Sequence, residues 1–375
     1  MSDTPIGTIA DHFSTLEDPR GDNKRHLLLD IIVISICAVI CGADNWPDVE
    51  LFGEAKEKWF KGFLELPHGI PSHDTFGRVF ARLDPELFQQ CFREWIQAVE
   101  ERTQGEVIAL DGKQLRRSHD RALGKEAIYM VSAWASASSL VLGQRKVDDR
   151  SNEITAIPRL LDMLDISGCI VTIDAMGCQT AIAEKVIESD ADYVFVVKAN
   201  QGGLLETVQS LFDRADEMKQ VDCDYHRTVD KGHGRIETRE CWSTSDPEYL
   251  AYITSRGKWR GLRSIGMIQA QRRIGEEATV NRRYFISSQA SNAEQMADVV
   301  RTHWGIENKL HWILDITFRE DDSRIRKGHG AQNFATLRHI ALNQLRREST
   351  PKTSIRGKRK KAGWDNSFLL KVLLA

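Results

Sequence analysis

The sequence predicts an α/β protein: a mixed five-stranded sheet with flanking helices, preceded by a helical unit and interrupted by a β-containing insertion. Three observations carry this. Residues 1–104 show helical apolar spacing and no strand pattern. From residue 105, short apolar strands alternate with helices. Between residues 201 and 290, strand-like pieces return among polar turns.

In the first unit, residues 26–42 read as a buried helix. Trp46 to Phe63 place Val49, Phe52, Trp59, Phe60 and Phe63 at helical spacing. Ser72 can cap a helix through Phe76, Val79, Phe80 and Leu83, and Pro85 opens another. The sheet unit then reads Glu106–Leu110, Ala127–Ser136 and Ser139–Val147 as strands and Asn152–Leu164 as a helix. Cys169–Ile173 follows as a strand, Thr180–Ser189 as a helix and Tyr193–Val197 as a strand. Three strands with short links suggest antiparallel pairing, and the helical crossovers add parallel strands. In the insertion, Arg235–Trp242, Ser264–Gln271 and Arg283–Ser287 are strand-like. At Ser291 a helix begins with Ser291 and Glu294 spaced as a capping box. Asn333–Arg347 reads as a further helix and residues 348–375 as a basic tail.

Composition sets limits on function. The chain has 375 residues, 41% hydrophobic and 28% charged, as expected of a soluble globular protein. The most apolar run, Ile31–Ala43, is shorter than the roughly 20 residues of a membrane span, so no membrane is expected. No signal peptide is read in Met1–Phe13. Seven cysteines without a CxxC pair suggest free thiols and a cytoplasmic setting. The net charge of −3 is unevenly spread: residues 1–110 sum to −9 and residues 300–361 to +9. Such asymmetry hints at nucleic-acid contact, because phosphates respond to local charge; a solvated basic surface is the alternative. No GxSxG or GxxxxGK[ST] motif is present, which argues against serine acyl transfer and P-loop nucleotide hydrolysis.

Asp111 and Asp174 each end an apolar strand, the sheet edge where reactive groups collect, although a strand-end aspartate can also simply cap a turn. Glu307 lies in HWGIENKLHWILD, where His303, Glu307, His311 and Asp315 recur every four residues on one helix face. Trp304 and Trp312 are expected to anchor that helix in the core. His303 and His311 stand about 12 Å apart along an ideal helix, too far to share one ion. Three carboxylates favour a hard cation, Mg2+ or Mn2+, and two such ions suit phosphodiester chemistry.

These residues sit in stretches that resemble the H-repeat-associated transposases of bacterial insertion sequences, within the RNase-H-like DDE class. The stretches are Leu27–Phe52, Gly69–Asp84, Val107–Ser118, Ser151–Leu164, Ile173–Gln179 (IDAMGCQ), Val197–Gln201, His303–Asp315 and Leu337–Asn343. The resemblance implies an RNase-H-like catalytic domain over 105–347, with the insertion inside it, and a transposase-associated domain over 1–104. It implies Asp111, Asp174 and Glu307 as catalytic and metal-binding residues. The implied partners are double-stranded DNA, as terminal inverted repeats and target, and other copies of the chain on that DNA. The implied setting is the bacterial cytoplasm. Candidate DNA contacts are Lys113, Lys198, Asn200, Gln201, Arg235, His303, Asn308, Lys309, His311, Arg324, Arg326 and Lys327. Related transposases carry Tyr, Arg and Lys at −7, −4 and +7 from the Glu; here these are Val300, His303 and Leu314. A catalytically silent DNA-binding protein and a metal-dependent nuclease are the alternatives.

Overall fold

A computed structural model describes residues 7–22, 24–99, 104–119, 124–148, 152–218, 223–232, 234–253 and 256–375. The chain opens with five helices: α1 Gly7–Phe13, α2 Leu28–Cys41, α3 Trp46–Phe60, α4 His73–Arg82 and α5 Pro85–Val99. Helix α2 is apolar all round because it is covered all round, by α1, α3 and later helices of the chain. Its one acidic residue, Asp30, is buried and accepts a hydrogen bond from Leu66 N at 3.0 Å. Asn45 caps α3 by accepting from Asp48 N.

Strands β1 Val107–Gln114, β2 Tyr129–Ala135 and β3 Val141–Lys146 form an antiparallel meander. Helix α6 Glu153–Leu161 crosses to β4 Ile170–Ile173, parallel to β1, and α7 Thr180–Glu188 crosses to β5 Asp192–Val197, parallel to β4. This half is the five-stranded RNase-H-like core, in the order β3-β2-β1-β4-β5. Strand β1 outlasts its expected end at Leu110 because Asp111–Gln114 continue to pair with β2.

The insertion does not stand apart from this sheet. After α8 Gly202–Met218 come β6 Asp224–Gly232, β7 Arg235–Thr244, α9 Pro247–Ala251, β8 Ser264–Ile274 and β9 Glu277–Ser287. Strand β9 pairs antiparallel with β5, so nine strands form one sheet, β3-β2-β1-β4-β5-β9-β8-β7-β6. Helix α10 Ala293–His303 lies across both halves, against β1 and β4 on one side and β6 and β7 on the other. Its cap is Asn292, which accepts from Gln295 N at 2.9 Å; Ser291 instead bonds Ser243, so the expected Ser291/Glu294 capping box is not formed.

A π-helical turn, Glu307–His311, follows, then α11 Trp312–Ile316 and α12 Gly330–Arg347. Residues 348–375 are not a loose basic tail. They form α13 Ile355–Trp364 and α14 Asn366–Leu373, packed on α2 and α12. Within the run Lys358–Lys361, Lys358 and Arg359 are buried, and Arg359 donates to Val39 O at 2.8 Å. One apolar core runs from α2 through the five-stranded half to α14. Among the described residues, no single helix is long and apolar enough to cross a membrane.

Candidate active site

Asp111 and Asp174 are positioned by backbone pairing. Strands β1 and β4 run parallel with Leu110 opposite Ile173, so the next residue on each is an aspartate on the same sheet edge. Neighbouring strands lie about 4.8 Å apart, so the two aspartates stand at adjacent strand ends, although among the described residues the donor atoms within 4.8 Å of one another are those of Asp111, Glu307 and His311, without Asp174. Asp111 Oδ1 accepts from Gly112 N at 2.9 Å. Asp174 Oδ1 accepts from Met176 N at 3.0 Å, so this residue does cap a turn, as a strand-end aspartate can.

A fourth carboxylate, which the sequence reading passed over, lies behind these two. Glu153, in the first turn of α6, is buried beside Tyr129, whose hydroxyl donates to Gly112 O at 3.5 Å. A side chain at Gly112 would collide with the Glu153 carboxylate and come within 2.6 Å of the Tyr129 ring, which explains glycine after Asp111. Burial and the Asp174 charge raise Glu153 above the usual carboxylate range, against the lowering influence of the nearby Tyr129 hydroxyl. Burial, followed by the Glu307 charge, pushes Asp111 up to about 7, and Asp174 and Glu153 add to that.

Glu307 reaches this edge from the π turn. It is exposed, while Ile306, Leu310 and Leu314 are the residues that enter the core. The tryptophans do not: Trp304 is 41% and Trp312 58% exposed. Trp304 lies under the Arg283 guanidinium, 4.5 Å from the ring centre. His311, one turn after Glu307, is buried with Nε2 3.8 Å from Asp111 Oδ2. Among the described residues, no Lys or Arg pairs with Asp111, Asp174, Glu307 or Glu153. A crowded, uncompensated set of oxygen donors suits a divalent cation.

The family model described as "Transposase DDE domain" matches residues 102–344, and "DDE_Tnp_1-associated" matches residues 10–96. The chain belongs to the DDE transposase family. It is 42% identical over 372 residues to the "H repeat-associated putative transposase YhhI" of Escherichia coli (strain K12), covering 97% of each chain. It is 39% identical to the "Putative transposase YncI" of Escherichia coli O157:H7, covering 98% of this chain and 95% of that one. The structure of a piggyBac transposase synaptic complex with hairpin DNA is similar at a TM-score of 0.43 and 13% identity, covering 98% of this chain and 78% of that one.

In this DDE-family chain the candidate DNA contacts fall into separate groups. Lys113 faces inward: its ammonium binds Asp315 and, at 2.7 Å, Glu320, so it is not available to a phosphate. His303 is buried against Thr172 Oγ1 at 3.0 Å, and burial lowers it to about 4, which leaves it neutral. His311 is lowered to about 4 for the same reason, with Lys113 adding to the effect. Neither histidine presents a cation to DNA. Asn200 and Gln201 donate to Ala175 O and Cys178 O and so brace the loop after Asp174. Arg326 is half-buried and donates to Arg117 O. Arg235 is exposed at the β6–β7 hairpin tip, and Lys198, Asn308, Lys309, Arg324 and Lys327 are exposed as well.

Sequence reasoning also missed a basic cleft in the first unit. Arg20, Lys24, Arg25, Arg78 and Arg82 line a groove of about 760 Å³. It adjoins the Arg324–Lys327 segment, since His329 N donates to Ala81 O at 3.0 Å. The net charge of −9 over residues 1–110 hid it, because charge summed along the chain says nothing of where folding gathers the cations.

Proposed function

We propose that the chain is a metal-dependent DNA transposase of a bacterial insertion sequence, acting through Asp111, Asp174 and Glu307. The observation that carries this reading is the uncompensated carboxylate cluster at the shared edge of β1 and β4, faced by Glu307. These three residues would hold Mg2+ or Mn2+, most simply as two ions. When bound, the ions supply an activated attacking oxygen and charge stabilisation for the leaving oxygen of an in-line displacement.

The chain's own residues do the positioning. Gly112 N fixes Asp111, the turn after β4 fixes Asp174, and the π turn presents Glu307. Hydrolysis of a phosphodiester at the element's end leaves a 3′-hydroxyl. That hydroxyl then attacks a target phosphodiester, forming one P–O bond as another breaks. Lys198, Lys309, Arg324, Lys327 and the cleft around Arg78 and Arg82 would carry phosphate contacts. The unit over 1–104 and the catalytic unit over 105–347 would act as one body, because their core is continuous.

The test is strand cleavage of DNA carrying the element's terminal repeats, with Mg2+ and with EDTA. Metal-dependent nicking at the repeat ends followed by joining to target DNA is expected. Binding without nicking would make the chain a silent DNA-binding protein, and nicking without joining or end preference would make it a nuclease.

A further inference from the structure

His311 is 6% exposed, yet its ring forms no hydrogen bond with any described residue. The neighbouring buried histidine, His303, does have its partner in Thr172. The His311 ring is directed at the carboxylate cluster, with Nε2 3.8 Å from Asp111 Oδ2. Asp111 Oδ1 is engaged by Gly112 N, which leaves Oδ2 for this side.

Asp111, Glu307 and His311 each bring one donor atom to within 4.8 Å of the others. Donors bound to one ion at about 2.1–2.2 Å stand roughly 3–4.3 Å apart, so only a slight contraction is needed. The π turn carries both Glu307 and His311, and such turns recur at functional sites.

We propose that His311 is a metal ligand, and that Asp111, Glu307 and His311 form a mixed nitrogen–oxygen cation site beside an oxygen-only position at Asp111 and Asp174. This rests on the metal-dependent reading above. The two positions would then differ in chemistry. An imidazole ligand favours first-row transition ions over Mg2+, which prefers oxygen donors. Between Mg2+ and Mn2+, the mixed site therefore prefers Mn2+.

The experiment is Mn2+ binding to the full chain, followed by electron paramagnetic resonance with spin-echo detection of nitrogen coupling. Wild-type protein should bind Mn2+ and show modulation from a coordinated imidazole nitrogen. His311→Gln should lose the modulation, keep residual Mn2+ and bind it about tenfold more weakly or worse; His303→Gln should retain the modulation. Bound Mn2+ without nitrogen coupling in the wild type would overturn the His311 assignment alone, and so would coupling that survives in His311→Gln. The wild-type spectrum decides even if the variant fails to fold. No Mn2+ binding by the wild type, with Asp111→Asn indistinguishable from it, would overturn the metal-dependent reading as well.

Discussion

Two acidic clusters share strand β1 and the helical segment after α10, and they are built in opposite ways. Around Lys113, the carboxylates of Asp315, Glu320 and Asp321 gather on a lysine supplied by the protein, with Arg338 3.7 Å from Glu320. Burial pushes Glu320 up, but Lys113, Arg338 and His339 outweigh it and hold the carboxyl below its usual range. Two residues earlier on β1, Asp111 is half-buried and also crowded by acids, yet among the described residues no lysine or arginine pairs with it, and it is pushed up to about 7. The surroundings differ chiefly in a fixed cation. The first cluster is balanced by the protein's own cations; on the proposed reading the second would take its cation from solution.

The largest expected effect falls on chemistry at the open cluster. Asp174→Asn should lower end cleavage by about a thousandfold or more, roughly 4 kcal/mol of barrier, while DNA affinity stays near wild type. Normal Mg2+-dependent cleavage by this variant would remove Asp174 from the site.

The closed cluster should respond in stability instead. Lys113→Met strands buried carboxylates and should cost about 3–5 kcal/mol in urea unfolding. A cost below about 1 kcal/mol would mean that the lysine is not what balances Asp315 and Glu320.

Removing a charge from the open cluster should have the reverse sign. Asp111→Asn should stabilise the metal-free protein by about 1–2 kcal/mol at pH 8 and abolish the rise in Tm on adding Mn2+. The folded carboxyl titrates near 7, against about 3.9 in the unfolded chain. Its stability contribution is therefore full below about pH 4 and lost as pH rises through 7, so the gain should vanish at pH 4. A variant less stable than wild type at pH 8 would show that the cluster is compensated in some other way.

The smallest effect concerns exposed cations. Arg324→Glu with Lys327→Glu should weaken binding of end DNA and reduce the slope of log K against log salt by about one per lost phosphate contact. Unchanged affinity and slope would leave these residues as surface solvation only.

The strands of the open cluster were legible because an apolar run ending in aspartate is a local signal, as at IVTID before Asp174. Glu153 was not, because its burial comes from β1 and β2 folding over the start of α6. Trp304 and Trp312 misled, since bulk suggested burial. The i, i+4 and i+8 series Ile306, Leu310 and Leu314 was the better guide to the buried face. Lys113 looked available beside Asp111 because the sequence does not reveal that Asp315 and Glu320 return to meet it. The insertion's strands were partly visible, but their merger with β5 depends on one long-range pairing, β5 with β9.

Helix α2 emerges early in synthesis, but part of its cover is made much later. Arg359 reaches Val39 O, and Asn366 accepts a hydrogen bond from Lys56, across more than three hundred residues of chain. While the ribosome is still translating, the most apolar helix of the molecule has no α13 or α14 to lie against. A chain that stops before α13 would leave α2 partly uncovered, a substrate for chaperones and proteases rather than a smaller working protein.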